Sequence, residues 1–174
     1  MTGKIISINI SEKKGTVKKP VRTNVLIKEN FGIVGDAHSG SDRQVSFIGW
    51  DAVKKWQLKI KNEKLKINYG DFAENITTDG IDWNKSKVGD NIIIGETVKL
   101  EITQIGKECH FGCAIRKAVG DCIMPKQGIF AKVLVGGKIK TGDIIEVCKQ
   151  AISFLSKSSI MKICRRKNSK NKVE

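Results

Sequence analysis

The stretch "TVKLEITQI", residues 97–105, decides the class of fold. Val98, Leu100 and Ile102 alternate with Lys99, Glu101 and Thr103. A period of two sends one row of side chains to the core and the other to solvent, as in a half-buried strand. The same period recurs on both sides. "KIISINI" (4–10) sets Ile6, Ile8 and Ile10 on one face, and "IFAKVLV" (129–135) sets Phe130, Lys132 and Leu134 opposite Ala131 and Val133. Between such runs stand glycine-centred turns, among them "FGIVGD", "TDGID", "VGGK" and "TGD". Short strands punctuated this densely favour a barrel or packed sheets over a parallel α/β array. A single helix pattern interrupts them, "WDAVKKWQLKI" (50–60), in which Val53, Trp56 and Ile60 fall at i, i+3 and i+7.

The alternation stops after Val147. Residues 149–174 hold eight Lys or Arg against one Glu, with apolar residues scattered around a helical wheel. They read as a basic tail, a weak helix followed by a disordered end, appended to a barrel domain spanning 1–148. With 174 residues and 40% apolar content, the chain has enough material for one domain with a real core. The net charge of +14 is divided evenly, +7 in the barrel and +7 in the tail. No apolar run reaches the length of a membrane span, and no leader pattern opens the chain, so the expected location is cytoplasmic. In that compartment thiols stay reduced.

Three of the five cysteines, Cys109, Cys113 and Cys122, fall with His110 in "GKECHFGCAIRKAVGDC" (106–122). The spacing C-H-x2-C-x8-C offers four zinc ligands without a C-x-x-C knuckle, which makes a structural zinc site a poor match. Packed small hydrophobes are the bland alternative. Electropositive neighbours favour a third reading, a reactive thiolate. Lys107 and His110 precede Cys113, and Arg116 and Lys117 follow it.

Four ordered blocks bring a family into view. "GIVGDAHSGSDRQVSF" (32–47) resembles the Gly-x-x-Gly-Asp-x-His segment and following Arg-Gln-Val of the MOSC domain, the module of molybdenum cofactor sulfurases. "GDFAENITTDGID" (70–82) is similar to the family's Gly-x-x-x-Glu-Asn-Ile/Leu-Thr segment; "VGDNIIIGETVKLEITQIGKEC" (88–109) and "MPKQGIFAKVLVGGKIKTGDIIEV" (124–147) complete the order. The resemblance is to stand-alone bacterial members. It implies a strongly bent, mainly antiparallel β-barrel with a few short helices. It also implies molybdenum cofactor as the ligand, bound where a cysteine thiolate carries sulfur or ligates molybdenum.

By the same resemblance Cys113 is the first choice for the working thiol and metal ligand. Cys122 is the second, and Cys109 is a resolving or ligating neighbour. The phosphate of a pterin cofactor needs cations and polar groups, for which Arg43, Lys107, Arg116, Lys126, His38, Asp36 and Asn75 are the candidates. The chain has no room for a pyridoxal-phosphate desulfurase domain, so that cofactor is not expected. A separate cysteine desulfurase or a molybdoenzyme is the implied partner. The competing class is a basic module binding nucleic acid or an anionic surface. Against it, aromatics make up 6% of the chain and none interleave with Lys or Arg on the strands as base-stacking platforms do.

Overall fold

The computed structural model describes residues 1–60, 65–108 and 114–150. Strands β1 (Thr2–Ile10), β5 (Val45–Gly49), β6 (Ile76–Asp79), β7 (Asn91–Ile94), β8 (Val98–Ile105), β9 (Ile129–Val135) and β11 (Ile144–Cys148) hydrogen-bond in the ring β1-β6-β5-β9-β8-β7-β11, which closes back onto β1. The β5–β6 pair is parallel and the other pairs of the ring are antiparallel. The expected bent, mainly antiparallel barrel is therefore what forms. Closure leaves no sheet edge among the seven strands. Strand β2 (Lys19–Pro20) adds to β1, and a small second sheet joins β10 (Gly137–Ile139), β3 (Val25–Lys28) and β4 (Gly32–Ile33).

A ring this narrow has no lumen, so its inward side chains must fill it. Phe47, Ile76, Ile92, Leu100, Ile102 and Ile129 are all fully buried inside. The alternation read in 97–105 holds: Val98, Leu100 and Ile102 are core residues. In β1 it does not. The pairing with β6 shifts between Ile5 and Ser7, a β-bulge, so Ile5 and Ile8 enter the core while Ile6 and Ile10 are only half-buried.

Helix α1 (Trp50–Ile60) has the expected bounds, and its Val53 and Trp56 are buried. With α2 (Ala114–Val119) and α3 (Met124–Gln127) it covers the outer face of β5 and β9. There Ile48, Val53, Trp56, Phe72, Met124 and Phe130 form a second apolar cluster. Double coverage is why β5 is buried at all five positions instead of alternating. The second cluster also makes Phe130 a covered residue on the outer face of β9, opposite Ala131 and Val133.

Residues 149 and 150 are held to the barrel by Asp90. Its carboxylate accepts from Lys149 Nζ (3.1 Å) and from the Gln150 backbone N–H (3.4 Å). The remainder of the expected tail lies outside the described residues. No described helix is long and apolar enough to cross a membrane.

Candidate functional site: one end of the barrel

Where the β4–β5 loop meets the end of β8, several of the sequence blocks converge. Asp36 is its buried centre, with a fully buried side chain. Its Oδ1 accepts from Lys18 Nζ (2.7 Å) and the His38 backbone N–H (3.0 Å); its Oδ2 accepts from Lys18 Nζ (2.6 Å) and the Ser11 backbone N–H (3.2 Å). The His38 imidazole stands at the rim, 34% exposed, with Nδ1 3.4 Å from Asp36 Oδ1 and 3.5 Å from Lys18 Nζ. Burial alone would raise the Asp36 carboxyl, but contacts with His38 and Lys18 outweigh it and hold the group well below the usual carboxylate range. Burial pulls the Lys18 ammonium below its ordinary value, against the attraction of Asp36. The two shifts favour opposite states of the pair. The ion pair is the state that fits the contacts, because Asp36 takes two backbone donors in addition to Lys18, and an ionised carboxylate beside a neutral amine would be an uncompensated buried charge.

Lys18 is brought to Asp36 by a close backbone approach. Its N–H donates to Gly70 O (2.9 Å), and a Cβ on Gly70 would stand 2.1 Å from Lys18 O. Gly70 also has φ +90°, open to glycine and strained for other residues. From the same turn the Gly70 N–H (2.7 Å) and the Phe72 N–H (3.2 Å) donate to the buried Glu74, as does the Thr77 hydroxyl (2.9 Å). Burial pushes the Glu74 carboxyl up, these donors notwithstanding.

Two further cations flank this cluster. Arg43, exposed at the start of β5, donates through Nε to Gln104 Oε1 (2.9 Å). Its Cζ stands 5.5 Å from the centre of the Phe130 ring, and Lys107 Nζ stands 5.7 Å from the same centre. Each is a cation–π contact on a ring anchored in the second cluster. Lys107 is also close enough to Lys18 to lower its pKa. Gly106, just before it, lets β8 run against α3: its N–H donates to Gly128 O (2.7 Å), and a Cβ there would meet Pro125 O at 2.2 Å.

The expected site residues thus fall into distinct places. His38, Arg43 and Lys107 reach the surface of this end, with Asp36 buried beneath them. Asn75 is inside the barrel wall, 1% exposed, where Oδ1 accepts from the Ser46 N–H (3.1 Å) and hydroxyl (3.0 Å) and Nδ2 donates to Asn9 O (3.3 Å). It ties β6 to β5 and β1. Arg116 and Lys126 are exposed on α2 and α3 beside Asp121. Lys126 lines a cleft of about 440 Å³ between α1, the Gly80–Asn84 turn and the segment 121–127, floored by Trp56, Trp83 and Ile123.

Cys122 is 5% exposed within the second apolar cluster and is not in a disulfide, an environment that matches a packed residue. Cys148, at the end of β11, is half-buried and disulfide-bonded, a correction to the expectation of reduced thiols. Cys109, His110 and Cys113 lie outside the described residues. Among the described residues no three His, Cys, Asp or Glu side chains converge to hold a metal ion.

Lys18, Gln104 and Phe130 belong to this end of the barrel and went unread in the sequence. Only Phe130 left a signal, as the bulkiest residue of a strand that enters directly after a Lys and Gly turn.

The barrel has known counterparts. The YUAD protein from Bacillus subtilis matches with a TM-score of 0.72 at 22% identity, over 87% of this chain and 98% of that one. YiiM from Geobacillus stearothermophilus matches with a TM-score of 0.67 at 22% identity, over 92% and 83%. YiiM from Escherichia coli gives 0.62 at 17% identity, over 100% and 96%. At these identities the likeness is one of fold. A search of curated proteins returns no match. A profile of the MOSC domain matches residues 34–146, nearly two thirds of the chain, and includes the Asp36–Arg43 loop, the Glu74–Asn75 wall, Lys107 after β8 and Phe130 on β9. The chain therefore belongs to the MOSC domain family, which is associated with molybdenum cofactor binding or sulfuration.

Proposed function

We propose that this chain binds molybdenum cofactor at the end of the barrel marked by His38, Arg43 and Lys107, and that a cysteine thiolate, Cys113 before Cys122, carries sulfur to it or ligates its molybdenum. The observation that carries the reading is the meeting of Arg43, from the loop before β5, and Lys107, just past the end of β8, on one Phe130 ring, 5.5 and 5.7 Å from its centre. Two cations held this way are a match for a phosphate, and the ring gives them a fixed platform. The Lys18–Asp36 pair beneath them is neutral as a unit, so it neither opposes nor replaces their charge.

Bound there, the cofactor would supply an anionic phosphate and a thiophilic metal. The chain's own residues supply the counter-charge, the orientation and the sulfur. Arg43 is oriented through Gln104, whose Nε2 in turn donates to Gly106 O (2.7 Å). The guanidinium is thereby tied to the backbone from which Lys107 projects. Cys122 comes second because a thiol packed between α1 and the barrel must be uncovered before it reacts. In this reading a separate cysteine desulfurase loads the thiol and a molybdoenzyme receives the finished cofactor.

The test is intact-mass spectrometry after incubation with a cysteine desulfurase and L-cysteine in the absence of reductant. The expected result is a persulfide increment that maps to Cys113, disappears in Cys113→Ser and survives in Cys122→Ser. An increment that persists in Cys113→Ser would move the role to another cysteine, and none in any form would remove sulfur carriage from the reading.

A further inference from the structure

The proton inventory around Asp36 bears on His38. An ionised carboxylate offers about four lone-pair directions. All four have donors already: Lys18 Nζ and the His38 N–H on Oδ1, Lys18 Nζ and the Ser11 N–H on Oδ2. The Lys18 ammonium has three protons, of which two go to these oxygens. The third is left for His38 Nδ1, 3.5 Å from Nζ. A neutral imidazole has one donor nitrogen and one acceptor nitrogen, and an acceptor at Nδ1 places the proton on Nε2. The competing tautomer would send an Nδ1–H to Oδ1 at 3.4 Å. It would be a fifth donor on a filled carboxylate and would leave the third ammonium proton pointing at another N–H.

We propose that Lys18 is a positioning residue that sets the tautomer of the His38 imidazole, keeping Nδ1 as the acceptor and Nε2 as the N–H donor, so that this end of the barrel presents an N–H, with Arg43 and Lys107, to the anionic group of its ligand. With Nδ1 set against two buried groups, the exposed third of the imidazole side chain is its opposite edge. Neutral N–H donors of this kind recognise phosphate or carbonyl oxygens without adding another charge to a cationic rim. The ligand half of the inference rests on the function proposed above; the tautomer half does not.

The experiment uses the full chain labelled with 15N and long-range proton–nitrogen spectra of the imidazoles at neutral pH. The chain has two histidines, so His110→Gln leaves His38 as the single source of signal. The expected spectrum is that of an Nε2–H tautomer; an Nδ1–H tautomer, or an averaged mixture, would overturn the proposal in the wild-type protein itself. In Lys18→Gln the tautomer preference is expected to weaken, and an unchanged Nε2–H spectrum in a folded Lys18→Gln would remove Lys18 from the role.

Inorganic phosphate is the probe for the second half. Saturable movement of the His38 Nε2 signal is expected, with affinity reduced roughly tenfold or more in Arg43→Gln, and likewise in His38→Ala when read from the Arg43 Nε signal. Phosphate that shifts Arg43 but leaves His38 unmoved would overturn the donor role while sparing the anion site. Phosphate that shifts neither would overturn both halves of the ligand reading, whatever the tautomer.

Discussion

Lys18 and Lys19 are neighbours in the run "KKGTVKKPV", yet one is buried at 3% exposure and the other is exposed. Removing one partner of a buried ion pair leaves the other charge uncompensated, at a cost of about 3–5 kcal/mol. Lys18→Met is therefore expected to lower unfolding free energy by that order in urea. Lys18→Met combined with Asp36→Asn is expected to be less destabilised than the single variant, since the orphan charge is gone and an oxygen remains for the His38 N–H. The two buried carboxyls also set opposite pH slopes. Asp36, depressed by its contacts, contributes stability that is present above about pH 4 and is lost as the pH falls below the unfolded carboxyl value. Glu74, raised by burial, contributes stability that is present at acid pH and lost as the pH rises above about 4.5 through its folded value. Denaturation curves of the wild type and Glu74→Gln over this range check the sign, because the decline on the alkaline side is expected to vanish in the variant even if its overall stability is lower. At this scale the sequence was legible where a motif marked the residue. Asp36, His38, Arg43 and Lys107 could be singled out from their blocks, and the structure places them at one end of the barrel, but nothing in a basic run separates the one lysine whose ammonium turns inward. Asn75 was marked by its motif as well, but for a place in the barrel wall.

Among the elements, period and length carried most of the information. β8 and α1 follow the alternation and the i, i+3 spacing read from them, because one covered face imposes one period. β1 broke the rule through a bulge, and β5 through having both faces covered, neither of which a local pattern records. Short helices α2 and α3 follow the cysteine segment and are specified by docking on Gly106 and Phe130, not by a stripe of their own. Gly70→Ala is expected to be among the costliest loop changes, since the residue is buried. A Cβ 2.1 Å from Lys18 O, at φ +90°, should cost about 3 kcal/mol or more and lower the melting temperature by roughly 6–12 °C. Thermal denaturation monitored by circular dichroism checks it, and a shift under 2 °C would mean the turn relaxes. Cys122→Ala probes the second cluster. Loss of a packed sulfur among α1, α3 and β9 is expected to cost about 1 kcal/mol with cofactor binding intact, whereas a working thiol would show the reverse.

In the whole molecule, closure ties the two ends of the domain together. β1 pairs with β11, and the Met1 ammonium donates to Val147 O (2.8 Å) while the Val147 N–H donates to Met1 O (2.8 Å). The four sequence blocks are spread over residues 32–147, and the ring brings parts of three of them to one end, where Asp36, Gly70 and Lys107 stand about Lys18. That convergence is what makes the fold and the site a single problem, and it is also why the net charge of +14 is a poor guide to function. In the proposed function the cations that matter are two, Arg43 and Lys107, both in contact with one aromatic ring. The decisive measurement is the molybdenum and pterin content of the full chain purified from molybdate-supplied cells, wild type against Arg43→Gln combined with Lys107→Gln. Both components are expected in the wild type and lost together from the double variant, with the melting temperature unchanged. Equal cofactor in the two proteins, or none in either, would contradict a cofactor site at this end of the barrel.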